Sequence, residues 1–185
     1  MNEEQVQPAL AALHADLCAA FEIEERGTRF SKDAWERDGR DTGLAGHGMT
    51  ALIEGAELFE RAGVALSIVS GASMPPAATT RNPHLAGRSF RAMGVSVVTH
   101  PRNPNIPTSH LNVRYLSAGD VWWFGGGFDL TPYLPFEDDV ESPVTGQMAK
   151  CRFTRVRRPR GDHAGVARCS AIELPPSTTR YCPVM

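Results

Sequence analysis

Between Gly94 and Gly126 the chain offers three β-type runs whose connections are too short to cross over a sheet. "GVSVVTH" (94–100) leads through the proline-rich turn "PRNPNIPTS" into "HLNVRYL" (110–116), and "AGD" turns that run into "VWWFGG" (121–126). Parallel neighbours need a crossover of about a dozen residues or more, so runs joined like this pair as an antiparallel meander. Alternation then assigns faces, because successive side chains of a strand point to opposite sides. His110, Asn112 and Arg114 share one side of their strand, and Leu111, Val113 and Tyr115 the other. Ser96, Val98 and His100 share one side of the preceding run. If both polar sides look the same way, they form one wall holding a hydroxyl, an amide, two imidazoles and a guanidinium.

Upstream, "EEQVQPALAALHADLCAAFEIEER" carries Leu10, Leu13, Leu17 and Phe21 at three- and four-residue spacing and predicts an amphipathic helix, with Pro8 tolerated near its first turn. "FSKDAWERDGRDTGLAGHGM" (30–49) is glycine-rich and charged and reads as loop. "VALSIV" (64–69) is a further short strand, and "GASMPPAATTRNPHLAGRS" a long connection. "TPYLPFEDDV" carries a helix-start signal, which Pro143 and Gly146 interrupt at once. Past Val140 no period of 2 or 3.6 is sustained.

Charge changes at the same place. Residues 141–185 hold eight Lys/Arg against three Asp/Glu, whereas the first 140 hold eleven against eighteen. Two segments follow: a folded domain over 1–140 and a basic Pro/Arg-rich, poorly ordered tail over 141–185, such as a shifted reading frame of a GC-rich gene would encode. "RVRRPR" has no interleaved aromatic residues, so it is weak support for nucleic-acid binding. Cys18, Cys151, Cys169 and Cys182 include no CxxC pair, which argues against a disulfide framework or a zinc site. No signal peptide and no membrane-length apolar run is visible, so the expected setting is cytoplasmic.

"WWFGGGFDLTP" (122–132) does not suit a phosphate loop, which requires a helix start and usually a lysine or serine. Two readings of it stand. Its glycines could bring the backbone against a flat ligand, with Asp129 accepting hydrogen bonds from the ligand's centre, or they could mark a sheet corner with Asp129 as a turn residue. His14 and His47 read as incidental.

Three stretches, "AGVALSIVSGASMPPAA", "AGRSFRAMGVSVVTHPRNPNIPTSHLNVRY" and "WWFGGGFDLTPYLPFEDD", closely resemble oxygen-dependent coproporphyrinogen III oxidases. The likeness is strong over about 59–140, weaker through the N-terminal helix and "FSKDAWERDG", and poor in the glycine-rich segment that follows. It implies an α+β fold, a mostly antiparallel sheet flanked by helices, assembled as a homodimer. It also implies an activity: oxidative decarboxylation of two propionates of coproporphyrinogen III to vinyl groups, giving protoporphyrinogen IX. Molecular oxygen would be co-substrate, with no organic cofactor and with a divalent metal whose need is disputed in the family. Residue by residue, the likeness casts His110 as proton donor, Asp129 as the carboxylate gathering the pyrrole N–H groups, and Arg114 as a propionate partner. Ser96, Asn112 and Val113 fall at substrate-contacting positions, and His100 and His110 match two of four metal-type histidines. A chain that only binds a tetrapyrrole or another carboxylate ligand is the alternative.

Overall fold

The computed structural model describes residues 3–79, 83–134 and 151–157. Helix α1 (Glu3–Glu24) is followed by β1 (Ser31–Asp38), β2 (Leu44–Glu54) and β3 (Phe59–Gly71). Short helix α2 (Pro76–Thr79) and a 3-10 turn (Pro83–Leu85) come next, then β4 (Phe90–Pro101), β5 (Thr108–Ala118), β6 (Val121–Thr131) and β7 (Cys151–Arg157). The seven strands form one antiparallel sheet in sequence order. The α+β, mostly antiparallel architecture and the meander are those the sequence predicts.

Three sequence-based expectations need correction. The segment 30–49, read as loop, instead supplies β1 and the first half of β2, which pair as the edge hairpin β1–β2. Its glycines have a steric reason: a side chain on Gly48 would overlap the Leu66 carbonyl and the Trp35 ring. The strand after "AGD" does not stop at Gly126 but runs through the three glycines and Asp129 to Thr131, so Asp129 lies in regular β-structure. Cys151–Arg157, in the stretch read as aperiodic, pairs along β6 as the seventh strand. The helix-start signal at 131–140 and the tail beyond 157 lie largely or wholly outside the described residues.

Helix α1 packs across β3 and β4. Its fully buried stripe is Val6, Leu10, His14 and Cys18, spaced by four, with Leu13, Leu17 and Phe21 half-buried at its margin. The predicted leucine stripe is therefore rotated by about one residue, and Pro8 sits in the second turn rather than the first. Against this stripe the sheet sets Ala51, Ile53, Ala62, Val64, Val95 and Val97. Burial of such aliphatic side chains contributes roughly 1.5–3 kcal/mol each. His14 is part of this core. Its Nε2 lies 3.3 Å from the Val64 carbonyl, to which it donates in the neutral form.

A buried carboxylate fixes the helix to the sheet. Glu25, 3% exposed, follows the last residue of α1. It accepts three main-chain N–H groups of the β2–β3 turn, from Glu57 (2.9 Å), Leu58 (3.1 Å) and Phe59 (2.6 Å). From the other side Arg102 donates through Nε and Nη2 to the Ala56 carbonyl at 2.9 and 2.8 Å. Removing the carboxylate would strand three donors, and hydrogen bonds to a charged group contribute about 1.5–3 kcal/mol. Glu25→Ala should therefore lose about 3 kcal/mol of unfolding free energy in urea titrations; a loss below about 0.5 kcal/mol would contradict the clamp.

Burial holds the His14 imidazole below its ordinary pKa, outweighing the raising effect of the Val64 carbonyl, with Lys32 adding a small lowering. The unfolded chain therefore takes up this proton first as pH falls. The contribution is complete above about pH 6.5 and is lost as pH drops below it. Stability of the wild-type chain should decline between pH 7.5 and 5, and His14→Gln should flatten that decline. Parallel declines in the two proteins would exclude His14 as its source.

Candidate active site

The helix-covered face is apolar, so the chemistry-bearing residues occupy the other one. Strand register places them in three adjacent cross-strand rows. The first row runs Trp35, Gly48, Ser67, Gly94, Arg114, Gly125. The second runs Asp33, Thr50, Ala65, Ser96, Asn112, Gly127. The third includes Leu52, Gly63, Val98, His110 and Asp129. Residues directly opposite in a ladder share a face. Ser96, His110, Asn112, Arg114 and Asp129 therefore all stand on the open side, and His100 shares their parity. The floor between them is made of glycine, alanine, serine and threonine.

Val113 is the exception among the expected contact residues. Its side chain points to the helix side and packs against the core, so only its main chain borders the open face. There its carbonyl leaves no room for a side chain on Gly94: an added Cβ would stand 2.7 Å from that oxygen and 3.1 Å from Cγ of Arg114. Arg114 thus lies across Gly94, as Trp35 lies across Gly48.

His110 is held at both ring nitrogens. Nδ1 stands 3.0 Å from Oδ1 of Asp129, and Nε2 stands 3.5 Å from Oγ of Ser96. With the proton on Nδ1, His110 donates to Asp129, and Nε2 is left to accept the Ser96 hydroxyl. Both members of the His110–Asp129 pair are about one-third exposed, at 37% and 27% of the side chain, so the pair can meet a ligand without the fold opening. Asp129 keeps further lone pairs for a second donor. The Arg114 guanidinium is exposed and has no hydrogen-bond or ion-pair partner among the described residues.

A cavity of about 270 Å³ opens on this face, lined by Trp35, Arg37, Ser67, Ser96, His110 and Arg114 among others. Asn112 and Asp129 stand beside it on the same face rather than in its wall. Trp35 and Arg37 are the residues that sequence reading missed here, because it took their segment for loop. The parity of Trp35 and Arg37 beside alternating His47, Met49, Ala51 and Ile53 was the signal available.

His100 lies toward the end of β4, its Nδ1 3.0 Å from the Tyr133 hydroxyl and 3.3 Å from Oγ1 of Thr108. Among the described residues no three His, Cys, Asp or Glu side chains converge as a metal set. His110 has neither ring nitrogen without a partner.

The glycine floor is testable by packing alone. Gly48→Ala should cost about 1–3 kcal/mol, since Trp35 and the β3 main chain must both move. Gly63→Ala, on the same face but meeting only the Leu52 side chain at 3.3 Å and the Ala51 carbonyl at 4.0 Å, should cost much less. Equal urea midpoints for the two variants would show that Trp35 does not rest on Gly48.

No described helix is long and apolar enough to cross a membrane. A family model described as coproporphyrinogen III oxidase matches residues 5–152. The match takes in the helix, the β1–β2 hairpin and every residue of the open-face site, and it runs past Val140 to the start of β7. The chain belongs to the coproporphyrinogen III oxidase family.

Proposed function

We propose that this chain carries out the family's oxygen-dependent reaction on the open face of its sheet, converting propionates of coproporphyrinogen III to vinyl groups. The observation that carries this reading is the grouping of one carboxylate–imidazole pair and one unpartnered guanidinium on a flat bed of small residues. A porphyrinogen presents N–H donors at its centre and carboxylates at its rim. Asp129 suits the first and Arg114 the second, where its planar fork can take a carboxylate through two parallel hydrogen bonds. Asn112, opposite Ser96, can donate to a second rim oxygen or accept a ring N–H.

For each propionate the balanced step is R–CH2–CH2–COO⁻ + O2 + H⁺ → R–CH=CH2 + CO2 + H2O2. The substrate loses two electrons, one hydrogen and carbon dioxide, and oxygen receives the electrons. A proton must be delivered on the oxygen side. His110 is placed to move it, because Asp129 holds one ring nitrogen while the Ser96 hydroxyl faces the other. Arg114 would hold the reacting carboxylate in place until the carbon–carbon bond breaks. Oxygen as co-substrate, the absence of an organic cofactor and a homodimeric assembly are parts of the same proposal.

The test is aerobic incubation with coproporphyrinogen III, following carbon dioxide release and protoporphyrin fluorescence after oxidation. Wild-type chain should produce both. Arg114→Ala and Asp129→Ala should each lower kcat/KM by about 10- to 100-fold, the loss of a charge-assisted hydrogen bond, and His110→Ala should lower kcat more than it raises KM. Ligand binding with no carbon dioxide release would favour a binding protein over an enzyme.

A further inference from the structure

We propose that Trp35 and Arg37 form a second anion-binding wall of this face, opposite Arg114, so that the bed recognises a flat ligand carboxylated on two sides. This rests on the tetrapyrrole reading above and adds to it a specificity device outside the residues already given roles. The first observation is placement. Trp35 and Arg37 come from β1 and Arg114 from β5, yet all three line one cavity. Four strand spacings separate β1 from β5, about 19 Å at ~4.8 Å per step. Between Trp35 and Arg114 their shared row holds only Gly48, Ser67 and Gly94. Trp35 leans over Gly48 and Arg114 over Gly94, so the two side chains approach each other from opposite ends of this row with Ser67 between them.

The second observation is the state of Arg37. Its guanidinium carbon lies 5.1 Å from the centre of the Trp35 ring. It is exposed and has no carboxylate partner among the described residues. Asp33 shares the face four residues back along the strand and makes no ion pair with Arg37 among the described residues. Asp38, on the other face, is paired with Arg40 at 2.7 Å. Stacking orients a guanidinium plane while leaving its N–H edge outward. An oriented, unpartnered fork beside an aromatic plane fits a carboxylate joined to a flat ring. Trp35 is itself held, because Gly48 is the only residue type that leaves room beneath it.

Two walls predict a distinctive dependence on the number of carboxylates. A ligand with four carboxylates spread round its rim can engage both walls at once. A ligand whose two carboxylates lie along one edge can use either wall, so it loses only a choice of orientation when one wall is removed. Binding of coproporphyrin III (tetracarboxylate) and mesoporphyrin IX (one-edge dicarboxylate) to the full chain would be followed by tryptophan quenching and the Soret shift. Arg37→Met should weaken coproporphyrin III by about tenfold or more, the loss of one charge-assisted contact, and mesoporphyrin IX by only about twofold. Arg37→Lys should recover part of the loss. Should Arg37→Met fail to fold, Arg37→Gln removes the charge with a smaller change of shape.

If Arg37→Met binds coproporphyrin III like wild type while Arg114→Met does not, the second wall is wrong and the tetrapyrrole reading survives. Equal weakening of both porphyrins by Arg37→Met would mean that Arg37 acts through packing, and would overturn the proposal too. If the wild-type chain binds neither porphyrin, the tetrapyrrole reading falls and takes this inference with it.

Discussion

The site depends on one constraint, the register between β4, β5 and β6. Ser96 opposite Asn112, and His110 opposite Asp129, follow from pairing alone. A slip of one residue in β5 would turn His110, Asn112 and Arg114 into the core and expose Leu111, Val113 and Tyr115. That error is expensive, because Tyr115 is 3% exposed and packs against Trp122 and Phe124. The hydrophobic pattern on the covered face therefore aligns polar groups on the open one. Packing and chemistry are two readings of one alternation.

The helix side makes that division possible. Helix α1 covers β3 and β4, and the Glu25 carboxylate and Arg102 hold the β2–β3 turn from both sides. With the core satisfied on one face, the opposite face is released from packing and can carry glycines, which would weaken a strand buried on both sides. Gly48, Gly94, Gly125 and Gly127 together lower the floor. The side chains that rise from it, Trp35, Arg37, Arg114 and the His110–Asp129 pair, then define the shape of what can lie there.

Much of this is legible in the residues alone. Leucine spacing gave α1, and the β-branched runs with short turns gave the central meander. Parity put Ser96, His110 and Arg114 on a common side. Asp129 was legible only in part: its residue type and glycine-rich setting suggested a ligand contact, but the glycines left a sheet corner equally open. What failed was the edge. Residues 30–49 carry four glycines and a dense mix of charge, the usual signature of loop. They form strands because the glycines at 46 and 48 sit under neighbouring main chain and Trp35 rather than in turns. The alternation of His47, Met49, Ala51 and Ile53 was present but masked by composition. Cys151–Arg157 keeps no regular alternation, since Cys151 and Phe153 share one parity and Val156 the other. Long-range pairing, not local propensity, decided both.

The central claim is that a tetrapyrrole lies on the open face, over the Ser96–His110–Asp129 line. Two histidines on opposite sides of the sheet test it in one experiment. His110 faces the bed, whereas His14 is buried under α1 against Val64. Imidazole ¹⁵N chemical shifts of both would be recorded while coproporphyrin III is added to the chain. The account predicts that the His110 nitrogens shift in step with binding while those of His14 stay fixed. Saturable binding that moves His14 and leaves His110 unchanged would place the ligand on the other side of the sheet and contradict the assignment.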